Sequence, residues 1–156
     1  MIGPFRGEFA FLSNFWEVEV EYEGDVYQNS ESAFQAAKLQ DKSLRRNFLL
    51  NGKEYDFTKI SPNTAKWLGK RVPLRKDWEE IKIQVMYDII KAKFVQNPDL
   101  AKKLLDTGDE YLVEVNSWGD RFWGVCEGTG KNYLGIIIMQ VRDAIRKYVE
   151  ENNIEL

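Results

Sequence analysis

The sequence contains no histidine and only one cysteine, and these two absences exclude several kinds of active site. Without histidine there is no Ser–His–Asp triad, no imidazole metal ligand and no imidazole acid–base catalyst. One cysteine cannot form an intramolecular disulfide. Proton transfer must therefore use Asp, Glu, Lys, Tyr or water. No cluster of metal ligands is apparent in the sequence, so we expect no metal, no cofactor and metal-independent chemistry.

Long hydrophobic runs are also missing. The longest, Leu134 to Met139, is interrupted by Gly135 and is far shorter than the roughly 20 residues of a membrane span. The stretch from Met1 to Phe15 lacks the basic region and apolar run of a signal peptide. These features predict no membrane association and a cytoplasmic location.

What the chain does contain is typical of a folded globule. It has 156 residues, of which 44% are hydrophobic and 30% are charged, which predicts one domain with one core. The net charge of -3 argues against a broad basic surface for duplex nucleic acid, although it is compatible with a local Lys/Arg pocket for one phosphate. Five Trp, seven Tyr and nine Phe can fill a core or stack on bases.

Hydrophobic periodicity predicts an α+β fold, with a helix-rich body and a small antiparallel sheet. Alternation from Trp16 to Tyr22 indicates a strand that turns at Glu23-Gly24-Asp25 into a hairpin. A further short strand is predicted between Tyr111 and Val115. We predict a single domain over residues 1–150 and a C-terminal tail over residues 151–156. The predicted helices begin at Ser30, run from Ser43 to Leu50, follow Ser61-Pro62, run from Asp77 to before Pro98, follow Asn97-Pro98, and include Leu134 to Val149.

The helix that begins at Ser30 carries an unusual polar line. Glu31, Gln35 and Lys38 stand at i, i+4 and i+7, a spacing that usually forms the apolar stripe of a helix. A carboxylate, an amide and an amine on that stripe suggest a site built on a rigid element. The alternative is a solvated face with a helical Glu–Lys pair.

Four other segments offer chemistry, each with a structural alternative. Ser13 and Asn14 can donate hydrogen bonds at the edge of a core or close a turn. Asp120 and Trp123 lie in a glycine-rich aromatic loop, where they can hold a ribose hydroxyl and a flat ligand, or form a turn and a core contact. The segment from Gly128 to Asn132 precedes a helix and can bind a phosphate through backbone amides, although two glycines are weak evidence. A basic cluster, which is either a phosphate site or a solvated face, consists of Lys70, Arg71, Arg75 and Lys76.

Taken together and in order, these segments resemble the YbiA-like family, also called NADAR (NAD and ADP-ribose related) N-glycosidases. The resemblance covers nearly the whole chain. The matching pieces are Phe11–Phe15, Ser30-Glu31 with Phe34-Gln35-Ala36 and Lys38, Pro73–Trp78, Ala92–Phe94, Leu112–Glu114, Asp120 with Trp123-Gly124, Gly130–Asn132 with Leu134-Gly135, and Met139 with Val141-Arg142.

The resemblance implies an N-glycosidase that cleaves the bond between a base-like nitrogen and C1′ of a ribose phosphate. The implied substrates are ribosylamino intermediates of the riboflavin pathway or, alternatively, ADP-ribose on guanine in nucleic acid. The implied partners are thus a small ribosylated base or ADP-ribose adduct, or ADP-ribosylated nucleic acid. When the family's functional residues are carried over one by one, the resemblance implies catalytic and substrate-binding roles for residues of this chain. The catalytic residues are Glu31, Lys38 and Asp120, and the binding residues are Ser13, Asn14, Gln35, Arg75, Trp123, Gly124, Lys131 and Asn132.

Two mechanisms and one rival function follow from these residues. Glu31 can stabilise an oxocarbenium-like C1′ or activate water, whereas a desolvated Lys38 can form a Schiff base with the ring-opened sugar. The rival is a module that binds ADP-ribose or NAD without cleaving it. Such a module would keep Trp123 and the basic residues but would need neither Glu31 nor Lys38.

Overall fold

The computed structural model describes all residues, 1–156, as an α+β fold, which confirms the predicted class. The chain forms two compact units, each described here by itself. The central unit comprises residues 14–93, and the terminal unit comprises residues 1–13 and 94–156. The prediction of a single domain over residues 1–150 stays a prediction. No helix combines the length and the apolar character that crossing a membrane requires.

The central unit contains two hairpins, two short helices and most of a long one. The elements are β1 (Val20–Tyr22), β2 (Asp25–Tyr27), α1 (Ser30–Ala36), a 3-10 turn (Lys42–Arg45), β3 (Phe48–Leu50), β4 (Lys53–Tyr55), α2 (Pro62–Gly69) and α3 (Trp78–Val95), whose last two residues belong to the terminal unit. Strands β1 and β2 pair antiparallel, as predicted, and so do β3 and β4.

The predicted helix from Ser43 to Leu50 is wrong. Only the 3-10 turn Lys42–Arg45 is helical, and β3 follows it. Asn51 and Gly52 both have positive φ, at 51° and 80°, which suits a tight hairpin turn rather than the end of a helix. The 3-10 turn is held by Arg45, whose buried guanidinium donates to the carbonyl oxygen of Leu39.

The terminal unit is built around two packed helices. Its elements are a 3-10 helix (Gly7–Leu12), α4 (Pro98–Asp106), β5 (Val115–Asn116), β6 (Val125–Cys126) and α5 (Tyr133–Glu151). Buried Arg142 on α5 donates through Nη1 to Thr107 Oγ1 and to the carbonyl oxygen of Glu110, 2.9 Å each, and so ties α5 to the segment after α4.

The strands form three separate two-stranded sheets rather than one small sheet. The third pair, β5 with β6, is parallel, unlike the two hairpins. The strand predicted between Tyr111 and Val115 is largely absent: Leu112 makes an isolated parallel bridge with Ile2, and only Val115 begins a strand. The α+β class is therefore correct, while the strands are shorter and more scattered than alternation predicts.

Candidate functional site

The N-terminus of α1 is fixed by two asparagines. Asn29 Oδ1 accepts from the amide of Ser32 at 2.7 Å, which is a normal N-cap. The carbonyl oxygen of Asn14 accepts from the amide of Glu31 at 3.1 Å, and Asn14 Oδ1 accepts from the Ser30 hydroxyl at 2.9 Å. These bonds use the first orphan donors of the helix. They hold the backbone that carries Glu31 in one position.

Glu31 and Gln35 form a buried pair one helical turn apart. Gln35 Nε2 donates to Glu31 Oε1 at 2.9 Å, and the two residues are only 8% and 7% exposed. The solvated-face alternative is therefore wrong for these two residues. Gln35 Oε1 is buried and has no hydrogen-bond partner within the protein. The nitrogen of the Gln35 amide thus orients the Glu31 carboxylate. Its unpaired oxygen is suited to accept a hydrogen bond from a ligand.

Lys38 lies just beyond the end of α1, in the turn that follows the helix. Its Nζ donates to the carbonyl oxygen of Gly69 at 3.1 Å and lies 6.0 Å from the ring centroid of Trp78. Desolvation by burial lowers the pKa of Lys38, whereas the carboxylate of Glu31 opposes that shift. The structure thus brings Glu31, Gln35 and Lys38 together. At a given pH, a larger fraction of Lys38 is neutral than of an exposed lysine.

Two further lysines contribute to the electrostatics here. The ammonium groups of Lys70 and Lys82 also lower the pKa of Lys38, which places both charges in its neighbourhood. Lys70 follows Gly69 directly, and Lys82 lies one turn after Trp78 on α3. The sequence analysis named Lys70 only as part of a basic cluster, and it missed Lys82. Lys82 is four residues after Trp78 on α3, and this spacing points to Lys38 only once Trp78 is known to lie beside Lys38.

Arg75 lies beside this group but is already engaged. Its amide donates to the carbonyl oxygen of Lys38 at 3.1 Å, and its Nη1 donates to that of Ala37 at 3.4 Å. The guanidinium pairs with Asp77, and the Nε–Oδ1 distance is 2.7 Å. That pairing raises the pKa of Arg75 and lowers that of Asp77. Arg75 therefore supports the turn after α1, and its predicted role in substrate binding stays a prediction.

The remaining predicted residues lie in the terminal unit. Ser13 ends the first 3-10 helix, and its amide donates to the carbonyl oxygen of Ala10. Asp120 Oδ1 accepts from the amides of Phe122 and Trp123, at 3.1 and 2.9 Å, so this carboxylate shapes its own loop. Trp123 is half-buried against Phe122 in an edge-on contact. The catalytic role of Asp120 and the ligand-binding roles of Ser13 and Trp123 stay predictions.

Gly124 and Asn132 hold the ends of this loop together. A Cβ on Gly124 would lie 2.2 Å from the carbonyl oxygen of Glu114, so only glycine allows this approach. Asn132 adopts a left-handed φ of 54°, and its side chain accepts from the amide of Glu114 and donates to the carbonyl oxygen of Leu112. Both residues have clear structural duties, and their roles in substrate binding stay predictions.

Four amides at the start of α5 already have partners within the protein. Those of residues 131–134 donate to the backbone carbonyl oxygens of residues 121–124, at 2.9 to 3.3 Å. These four amides are therefore engaged within the protein, and phosphate binding by the segment from Gly128 to Asn132 stays a prediction. Exposed Lys131 lies over the rings of Phe122 and Tyr133, so a binding role at this position would fall to its side chain. That role stays a prediction.

The structure contains no group of three or more His, Cys, Asp or Glu side chains that could hold a metal ion.

Residues 4–146 match the model of the NADAR domain family. The N-glycosidase YbiA of Escherichia coli is 34% identical over 142 residues, a match that covers 88% of this chain and 82% of that protein. The NMR structure of E. coli YbiA superposes with a TM-score of 0.77 at 31% identity, covering 99% of this chain and 88% of the other.

A riboflavin biosynthesis protein of Vibrio vulnificus is 34% identical over 147 residues, covering 94% of this chain. The chain spans only 38% of that relative's length, so the similarity concerns one part of the larger protein.

Proposed function

The chain belongs to the NADAR family and is an N-glycosidase, and we propose that it hydrolyses the bond between a base-like nitrogen and C1′ of a ribose phosphate. The observation that carries this proposal is the buried Glu31–Gln35 pair beside a desolvated Lys38. The names of the relatives support ribosylamino intermediates of the riboflavin pathway as substrates.

Glu31 meets the central electrostatic need of this reaction. Cleavage of an N-glycosidic bond develops positive charge at C1′, which a nearby carboxylate stabilises. The hydrogen bond from Gln35 fixes one carboxylate oxygen, and burial strengthens the field of the charge because little water screens it. In the direct route, Glu31 also takes a proton from the attacking water, and the base leaves with a proton.

Lys38 provides a covalent route to the same products. When the sugar ring of a ribosylamine opens, C1′ becomes an imine carbon that a neutral amine can attack. Lys38 would replace the base amine at C1′, the base amine would leave after gaining a proton, and water would then hydrolyse the lysine imine to release ribose phosphate. The lowered pKa of Lys38 supports this route because it increases the neutral fraction.

Lys70 supplies positive charge for the phosphate in either route, while Lys82, whose ammonium is paired with Glu79 at 2.6 Å, adds to the positive field beside Lys38. Both ammonium groups lower the pKa of Lys38, which supports this assignment. ADP-ribose linked to guanine contains the same ribosyl nitrogen bond and more phosphate, so it is the alternative substrate class, including its attachment to nucleic acid. A module that only binds ADP-ribose would gain nothing from burying the Glu31 carboxylate against the Gln35 amide, since burial of charge is costly.

The test is product formation from defined substrates by the purified chain. Ribosylamino pyrimidine phosphates and ADP-ribosyl guanosine are incubated separately, and the released base and sugar phosphate are quantified by chromatography. We expect Glu31→Gln to keep the fold and lower kcat by about 10²-fold or more, the usual loss for a removed electrostatic or general-base group. Glu80→Gln, which changes an exposed carboxylate on α3, is the matched control. Turnover by Glu31→Gln at the wild-type rate would contradict the assignment.

A further inference from the structure

The surface of the central unit carries a partly exposed aromatic pair with basic side chains over its rings. Trp67 on α2 is 43% exposed, and the Arg71 guanidinium carbon lies 4.0 Å from its ring centroid. Tyr55 on β4 lies 6.2 Å from Trp67, centroid to centroid. Lys53, two residues earlier on the same strand, has its ammonium 5.0 Å from the Tyr55 centroid.

The pattern repeats at a third ring. Phe15 is 36% exposed, and the ammonium of Lys66 lies 6.0 Å from its ring centroid. Three partly exposed rings each with a cation above it are hard to explain as core packing, since each ring keeps part of its surface in water. We call this group the α2 surface; it consists of Phe15, Lys53, Tyr55, Lys66, Trp67 and Arg71.

The charge of the α2 surface is opposite to that of the whole chain. The protein carries a net charge of -3, yet three basic side chains, Lys53, Lys66 and Arg71, lie over these rings. Glu54 is adjacent in sequence but alternates to the other face of β4. Arg71 also donates to the carbonyl oxygen of Trp67 at 2.7 Å, which explains its position at the end of α2 but not the exposure of the indole.

We propose that the α2 surface binds single-stranded nucleic acid. Unpaired bases stack on aromatic rings and on guanidinium planes, and backbone phosphates pair with lysines. A duplex offers no open base faces and needs a broader basic surface than this chain has. Unmodified oligonucleotides carry neither a ribosylamine nor an ADP-ribose group, so their binding is read without turnover, and a failure to bind is distinguishable from a failure of the proposed catalysis.

The experiment measures fluorescence anisotropy of a 5′-fluorescein 20-mer with the full chain at low salt. Single-stranded DNA and RNA of one mixed sequence are compared with the matching duplex. We expect either single strand to bind more tightly than the duplex, and Trp67→Ala to weaken that binding by about tenfold or more, as the loss of one stacking platform requires. Trp118→Ala, which removes a 57% exposed indole from the terminal unit, should bind as the wild type does.

Salt dependence provides a second readout. For single strands, the slope of log K against log salt changes by about 0.7 for each phosphate that the protein no longer neutralises. The double variant Lys53→Ala/Lys66→Ala should therefore reduce the magnitude of the slope by about 1.4. Lys91→Ala, which removes an exposed lysine from α3, should leave it unchanged. If Trp67→Ala fails to fold by circular dichroism, Trp67→Phe replaces it, and it should retain part of the affinity.

Three results would overturn the proposal. The first is the absence of oligonucleotide binding at low salt. The second is equal binding by the Trp67→Ala and Trp118→Ala variants, which would mean that no base stacks on the Trp67 indole. The third is competition by polyglutamate as effective as that by unlabelled oligonucleotide, which would identify an acidic peptide as the type of partner.

Discussion

At the scale of single residues, the most consequential one is Lys38. Burial alone lowers its pKa, the ammonium groups of Lys70 and Lys82 lower it further, and Glu31 raises it. The net direction is downward, so as pH rises the amine becomes neutral earlier than an ordinary lysine does. A neutral amine is a nucleophile, whereas a charged one can only act electrostatically. The position of Lys38 therefore bears directly on the choice between the two routes.

We predict that sodium borohydride added during turnover reduces a lysine imine and leaves a ribose-phosphate-sized mass on the peptide that contains Lys38. Reduction makes the carbon–nitrogen bond permanent, so peptide mass spectrometry identifies the residue. Lys38→Arg should abolish both the adduct and turnover, because a guanidinium remains protonated.

The control for that measurement is Glu31→Gln treated in the same way. Active turnover by the wild type without a trapped adduct, together with substantial activity of Lys38→Arg, would contradict the covalent route. It would leave direct attack by water with Glu31 as the base.

At the scale of elements, α1 and α2 approach so closely that a Cβ at Gly69 would displace the side chain of Gln35. A Cβ on Gly69 would lie 1.8 Å from Gln35 Oε1 and 2.5 Å from Gln35 Cδ. The same residue supplies the carbonyl oxygen that accepts from Lys38. One glycine thus sets both the position of the amide that orients Glu31 and the position of the amine.

We predict that Gly69→Ala lowers the free energy of unfolding by about 1–3 kcal/mol, the usual cost of overpacking, although alanine is the better helix former. Because Gln35 must move to make room, its hydrogen bond to Glu31 should break, and kcat should fall. Urea denaturation and turnover measure the two effects.

The matched test of this prediction is a double-mutant cycle with Gln35→Ala, which removes the atoms that a Cβ would meet. In that background, Gly69→Ala should cost less stability than it does alone. Equal costs in both backgrounds would show that the close approach of Gly69 to Gln35 is not the cause.

Elements also show where sequence reasoning works. The sequence correctly predicted α2, because Ser61 caps it and Pro62 occupies its first turn, and both signals are local. It failed at Ser43 to Leu50. Asn51-Gly52 resembles a helix stop, but the same pair favours a hairpin turn, and the 3-10 turn depends on the distant carbonyl of Leu39.

The candidate site shows the same division between local and distant information. The i, i+4 spacing predicted the approach of Gln35 to Glu31, which is a local property of a helix. Nothing in the spacing predicted that Gly69, Trp78 and Lys82 surround Lys38, because they come from α2 and α3. Periodicity finds residues that share an element, while packing decides which elements meet.

At the scale of the whole molecule, one buried cation affects stability. Lys93 on α3 is fully buried, and desolvation lowers its pKa from 10.5 to about 7. The unfolded chain restores the ordinary value. Between these two values the unfolded state binds a proton that the folded state does not. The contribution of Lys93 to stability therefore increases with pH across that window, by up to about 1.4 kcal/mol per pH unit. Below about pH 7 both states are protonated, and the penalty is constant and largest.

We predict that Lys93→Met raises the free energy of unfolding, because methionine fills a similar volume without a charge to desolvate. The gain should be largest near pH 6–7 and should shrink steadily towards pH 10, where the wild-type penalty has largely disappeared. Urea denaturation of both proteins at intervals of one pH unit measures the difference between their free energies of unfolding. Groups that titrate equally in both proteins cancel in this difference. Lys91→Met, which changes an exposed lysine on the same helix, is the control and should show no such trend. A gain that does not vary with pH would mean that Lys93 acts through its shape and packing rather than through its proton.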